Sequence, residues 1–249
     1  DSSNGDHTFG NQLLAGARIV ASRACAEEMA QHTPEKRSVM MKNWRDYGEA
    51  GAAWHDLYDG IFDFEGLVYT PPTETFEREL NLRVGTREVE LTMVDPAHTR
   101  GDVLVHVPST RTVFTGDILF IGGHPITWDG PISNWIAACD RILGWNVETI
   151  VPGHGPITDK AGVRAVKHYF EYLTAEARKR FDAGMPEAEA ALDISMAEFR
   201  DWIDAERVIV NVATLYREFS GDKRKPDVFD FHARMARIRG PRDKSHLKG

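Results

Sequence analysis

The chain is short of cysteine, of long apolar runs and of excess positive charge, and each shortage excludes something. Only Cys25 and Cys139 occur in 249 residues. Neither has the context of a metal-binding pair, and two lone thiols are expected to stay reduced in a cytoplasmic protein. No apolar run approaches the ~20 residues that a spanning helix needs, so no membrane partner is expected. The formal charge of −8 argues against nucleic acid as a partner. Residues 1–6 are polar, with no signal peptide at the visible start. Internal repeats and low-complexity tracts are absent. What remains is an ordinary globular composition, 42% apolar, long enough for one large domain or a domain with an appendage.

Hydrophobic periodicity predicts a mixed α/β chain. A short buried strand is expected over 18–21 and a helix over 24–31. Residues 33–66 are rich in Met, Trp and Tyr with glycines between them. They read as packed irregular helix, or else as a flap whose aromatics cover an apolar substrate. Phe76, Leu80, Leu82 and Val84 share one parity, and Val89, Leu91 and Met93 alternate after Gly85-Thr86. This predicts a hairpin of strands 75–84 and 88–94 with one buried face. Further strands are expected over 102–107, 112–117 and 147–151, a loop over 118–130, and a helix from Pro131 to Leu143. Helices are then expected over 159–181, 186–192, 202–219 and 228–238, with a frayed basic tail from Arg239.

Polar signatures stand at three strand ends: Asp95-Pro96-Ala97-His98-Thr99-Arg100-Gly101-Asp102, Thr115-Gly116-Asp117 and Pro152-Gly153-His154-Gly155. A strand end is a rigid platform and the turn beyond it is open. Gly5-Asp6-His7 near the start carries the same chemistry. Imidazole nitrogen and carboxylate oxygen are ligands for zinc, and also for iron or manganese. A carboxylate placed between two such histidines has two oxygens with which to bridge two ions, which suits Asp117. Asp102 reads as a loop-fixing carboxylate. His124 and Trp128, on the 118–130 loop, are candidates to face substrate.

In order and spacing, Asp6-His7, His98-Thr99-x-Gly101-Asp102, Thr115-Gly116-Asp117 and Pro152-Gly153-His154-Gly155 resemble the metallo-β-lactamase superfamily over residues 1–160. The resemblance implies an αββα sandwich with a dinuclear metal site at one edge of two sheets. Residues 161–249 would then be a helical extension packed on that catalytic domain. It implies Asp6, His7, Asp117 and His154 as ligands of one metal, with His98 and a share of Asp117 at the other. The family's first motif reads His-x-His-x-Asp-His, and here Ser2 and Asn4 occupy the first two His slots. One zinc site is therefore expected to be complete and the other short of ligands, with Asn4 left as a substrate contact. The family's sheets begin before this motif, so the sandwich is expected to lack its first strands.

The implied activity is hydrolysis of an ester, thioester, lactone or amide of a small-molecule substrate. A zinc-bound hydroxide would attack the carbonyl carbon, and Asp6 would handle the proton. Phe9-Gly10-Asn11-Gln12 and Asp204-Ala205-Glu206-Arg207 look similar to the polyketide cyclase and thioesterase branch of the superfamily. The replacements at Ser2 and Asn4 motivate a further alternative, a catalytically impaired member. Apolar stripes on the C-terminal helices would suit a homodimer or a cap on the pocket.

Overall fold

The computed structural model describes residues 2–14, 16–224 and 226–240. All but the first two residues of the basic tail read from Arg239 lie outside them. The strands are β1 (Val20–Ser22), β2 (Glu74–Phe76), β3 (Glu79–Val84), β4 (Arg87–Met93), β5 (Val103–Val107), β6 (Thr112–Phe120) and β7 (Thr149–His154). The α-helices are α1 (Gly5–Thr8), α2 (Arg23–Gln31), α3 (Pro34–Lys42), α4 (Gly48–Tyr58), α5 (Ile132–Gly144), α6 (Lys160–Asp182), α7 (Glu187–Asp193), α8 (Val208–Ser220) and α9 (Val228–Arg239).

Strands β3 to β7 form one sheet in sequence order. The β3–β4 hairpin turns at Gly85, whose φ of 61° suits a residue without Cβ. Pairing stays antiparallel to β6, and β7 joins β6 in parallel after the α5 crossover. Alternation along the strands then sorts the side chains. Leu104, Val113 and Ile150 point to one face and are wholly buried with Trp135 and Ile142 of α5 and Val163, Val166 and Phe170 of α6. The same core takes in Val212 and Leu215 of α8, so the C-terminal helices share it with the sheet. On the other face Leu80, Leu91, Val105 and Phe114 fall in one cross-strand row. That face is only partly covered, with Val84 64% and Phe114 43% exposed. The second sheet is the parallel pair β1–β2. This is the expected mixed α/β class with a short second sheet. No helix among the described residues is long and apolar enough to cross a membrane.

Two expectations are corrected. The strand over 75–84 is two strands, because residues 74–76 pair with β1 while the chain bends at Glu77-Arg78 before entering the large sheet. Residues 118–120 belong to β6 and not to a loop. Ile118, Leu119 and Phe120 are buried, and pairing with β7 runs out to Phe120 opposite His154. The aromatic-rich segment 33–66 is packed helix over much of its length. Trp54 of α4 is buried against His232 of α9, with ring centroids 5.2 Å apart.

Ser22 joins the small sheet to the polar loop beyond β4. Its buried hydroxyl caps α2 by accepting from Cys25 N–H and donates to Gly101 C=O at 2.8 Å. Ser22→Ala removes a cap and leaves that carbonyl unpaired. It is expected to lower stability by about 1–2 kcal/mol in a denaturant titration.

Candidate metal centre

Each signature reaches one point by a different local device. Asp6 and His7 lie on the single turn of α1. His98 lies on the loop between β4 and β5. Asp102 closes that loop, its carboxylate accepting from the Thr99 N–H at 2.8 Å and from the Thr99 hydroxyl at 2.5 Å. Asp117 sits where the β6–β7 register shifts, just after Gly116 at φ 51°. Such an irregularity re-aims a side chain out of the pleat. His154 ends β7 and stacks on Phe120, with centroids 4.6 Å apart.

The buried Asp117 carboxylate is the hub. Its Oδ1 lies 3.0 Å from His7 Nε2 and 3.3 Å from His154 Nε2, and its Oδ2 lies 3.1 Å from His98 Nε2. Asp6 Oδ2 approaches His154 Nε2 at 3.4 Å and His7 Nε2 at 3.6 Å. Asp6, His7 and His154 bring their donor atoms within 4.8 Å of one another.

Charge follows from this packing. Hydrogen bonding to Asp117 and Asp6 pushes the His154 imidazole up to about 9. Burial disfavours charge on His7 and His98, but Asp117 outweighs it and raises both. Burial works upward on Asp117, yet His98, His154 and His7 hold its carboxyl well below the usual range. Asp6 is also lowered, against its burial, by His154 and His7. Burial raises Asp102 to about 6.

These residues fit a metal ion. Both Asp117 oxygens are buried and face imidazole nitrogens at 3.0–3.3 Å, a position where a carboxylate needs positive charge beside it. His98 Nδ1 lies 2.7 Å from the Ile126 carbonyl, which can only accept, so Nδ1 carries the proton and Nε2 turns a lone pair towards Asp117. Without a cation the carboxylate draws protons onto the imidazoles. With one, the same nitrogens and oxygens are ligands, and those protons leave.

The structure brings together all five residues singled out as ligands. It gives the others different surroundings. Asn4 Nδ2 lies 2.8 Å from His98 Nε2, so this amide, assigned to substrate from the sequence, lies against a candidate ligand. Ser2 is buried, and its hydroxyl accepts from Asn4 N–H at 3.4 Å. His124, read as facing substrate, is wholly buried. Its ring turns to the C-terminal helices, with Nδ1 3.2 Å from the Tyr169 hydroxyl and Trp202 beside it. Trp128, read the same way, donates its backbone N–H to His98 C=O and stacks on His232 at 5.2 Å.

Sequence reasoning missed Asn211. From α8 its amide donates to Pro125 C=O at 2.8 Å and accepts from Thr127 N–H at 3.0 Å. These bonds flank Ile126, whose carbonyl orients His98. The signal was an Asn inside the apolar run Val208-Ile209-Val210-Asn211-Val212, where a buried amide must have partners.

The fold is an α/β one, a mixed sheet with helices on one face, and the His/Asp cluster at the ends of its strands is a donor set that could hold a metal ion. The sequence of residues 3–154 matches the metallo-beta-lactamase superfamily, and the chain belongs to that superfamily. The structure is similar to a metallo-beta-lactamase family protein, TTHA1429 from Thermus thermophilus. Identity is 14% and the TM-score 0.54, over 85% of this chain and 70% of that one. A match to the stereoselective inverting sec-alkylsulfatase Pisa1 from Pseudomonas sp. has 15% identity and a TM-score of 0.48, over 62% of this chain and 27% of that one. A metallo-beta-lactamase from Pontibacter korlensis matches at 21% identity and a TM-score of 0.38, over 41% of this chain and 50% of that one. The chain thus spans about a quarter of the sulfatase's length and half of the lactamase's. No curated protein matches the sequence.

Proposed function

We propose that the protein is a metal-dependent hydrolase of a small carbonyl substrate: an ester, thioester, lactone or amide. The observation that carries this reading is the buried Asp117 carboxylate, ringed by three imidazole nitrogens at 3.0–3.3 Å. Asp6, His7, His154 and Asp117 would hold one ion, with zinc the first choice for this donor set and iron or manganese compatible with it. Zinc, when bound, lowers the pKa of its water to about 7 and so supplies hydroxide at neutral pH. Asp6 has a 51% exposed side chain, so its Oδ2 is placed to exchange a proton with water as the leaving group departs. Phe120 holds the His154 ring in plane, and Ile126 C=O holds His98 Nδ1–H.

Chelation followed by metal return is the test, read on a panel of acyl esters, thioesters and lactones. Activity lost with chelator and restored by zinc supports the reading. Full activity in thoroughly chelated protein rejects it.

The Asn4 amide against His98 favours a single tightly held ion over a pair. Asn4→His supplies an imidazole at the position where the family carries one. Elemental analysis after dialysis is expected to rise from about one zinc per chain to about two, the count of a two-metal site. An unchanged content would show that His98 takes no part in a second site.

A further inference from the structure

An open cavity of about 480 Å³ lies along α3, between the end of α2, Tyr47 and Phe229 of α9, within the size range of small-molecule sites. Val39, Tyr47 and Phe229 line it while remaining 56%, 43% and 39% exposed. The Tyr47 and Phe229 rings stack 5.7 Å apart at 9°. Large apolar groups gathered on one concave surface mark a place where something binds. Three charged residues of α3 also line the cavity: Glu35, Lys36 and Arg37. The Glu35 carboxylate is engaged by Tyr69 N–H at 2.8 Å, and the Lys36 ammonium by Gln31 C=O at 2.9 Å.

Arg37 differs from both. Its guanidinium lies over the Trp54 ring, 4.0 Å from the centroid, and among the described residues no carboxylate pairs with it. Burial pushes the Arg37 pKa down, and Tyr58 and Asp6 pull against that. A ring face offsets only part of the cost of taking a guanidinium out of water. Its planar fork matches a carboxylate with two parallel hydrogen bonds. Lys36 and Arg37 against Glu35 leave the cavity with one net positive charge in a chain of net charge −8. One unmet positive charge matches a monoanion, and the stacked rings match a flat apolar body.

We propose that this cavity binds an aromatic carboxylate, with Arg37 as the partner of its anionic group and the Tyr47–Phe229 pair as the platform for its ring. A relay of ring contacts runs from Arg37 towards the candidate metal centre. Trp54 packs on His232, and His232 stacks on Trp128, whose N–H is bonded to His98 C=O. The inference goes beyond the hydrolase reading, because binding here needs neither metal nor turnover.

The test is calorimetric titration of the full chain with 2-naphthoate and with 2-naphthylmethanol, which has the same ring and no charge. It is repeated on His154→Ala protein, so that a failure of the metal centre is separated from a failure of this site. Naphthoate is expected to bind both proteins, with quenching of tryptophan fluorescence, and the alcohol at least tenfold more weakly. Arg37→Met is expected to weaken naphthoate binding at least tenfold while leaving the alcohol unchanged, and Arg37→Lys to recover part of the loss. If Arg37→Met does not fold, Val39→Trp, which fills the cavity from an exposed position, must abolish binding. Equal affinity for acid and alcohol, unaltered binding by these variants, or no binding to the wild type overturns the proposal. So does inorganic phosphate binding as tightly as naphthoate.

Discussion

Asp117→Ala is expected to leave the purified protein almost free of metal. Any metal-dependent hydrolysis should fall by about three orders of magnitude, ~4 kcal/mol at ~1.4 kcal/mol per decade. The reason is geometric. Among the described residues, Asp117 is the one that approaches His7, His98 and His154 together, at 3.0–3.3 Å. Removing it deletes a candidate ligand and also the charge that holds three imidazoles in place. Asp117→Asn separates these contributions, since the amide keeps the shape and loses the charge. In the metal-free protein Asp117 is the largest cause of the raised His154 pKa, at about 9. Its loss must therefore move that value down towards the ordinary histidine range, a shift followed by NMR titration of the ring protons. Metal content equal to wild type in Asp117→Ala would remove Asp117 from the site.

Gly153→Ala is expected to damage the same centre without replacing any candidate ligand. A Cβ at this position would stand 2.2 Å from Asp117 Oδ1 and 2.6 Å from the Gly116 carbonyl carbon. Neither can yield easily: one is the hub carboxylate and the other is backbone. The strand pair must part or Asp117 must swing away. We expect a loss of metal affinity of about 10- to 100-fold, the range for displacing a ligand's support. Overpacking should add about 1–3 kcal/mol of destabilisation. Chelator competition measures the first and thermal melting the second. A variant that melts lower but binds metal as tightly as wild type would show that the strands adjust without moving Asp117.

Much of the site was legible because its residues are local signatures. Asp117 and His154 each adjoin a glycine at the end of an apolar run, and His98 stands three residues before Gly101, patterns visible in one dimension. The α6 stripe of Val163, Val166, Phe170 and Leu173 was legible for the same reason, and it is wholly buried. The misreadings were of long-range origin. The alternation over 75–84 carried no sign that its first residues would pair with Val20, Ala21 and Ser22 rather than with β4. The 118–120 segment is apolar whether it ends a strand or starts a loop, and β7 decides between them. His124 was read as a loop histidine open to substrate. Tyr169 and Trp202, distant in the sequence, bury it.

The sequence by itself determined the donor chemistry, the spacing of the turns that carry the candidate ligands and the shortage of histidine at Ser2 and Asn4. Residue type and periodicity are local properties, and they survive without coordinates. Only the tertiary structure decided that Asp117 is approached by three imidazoles, that Asn4 lies against His98, and that Asn211 brackets Ile126, whose carbonyl orients that ring. It also left Arg37 over Trp54 without a carboxylate among the described residues. Those facts depend on distances between residues far apart in the chain, set by how the sheet and the C-terminal helices share one core.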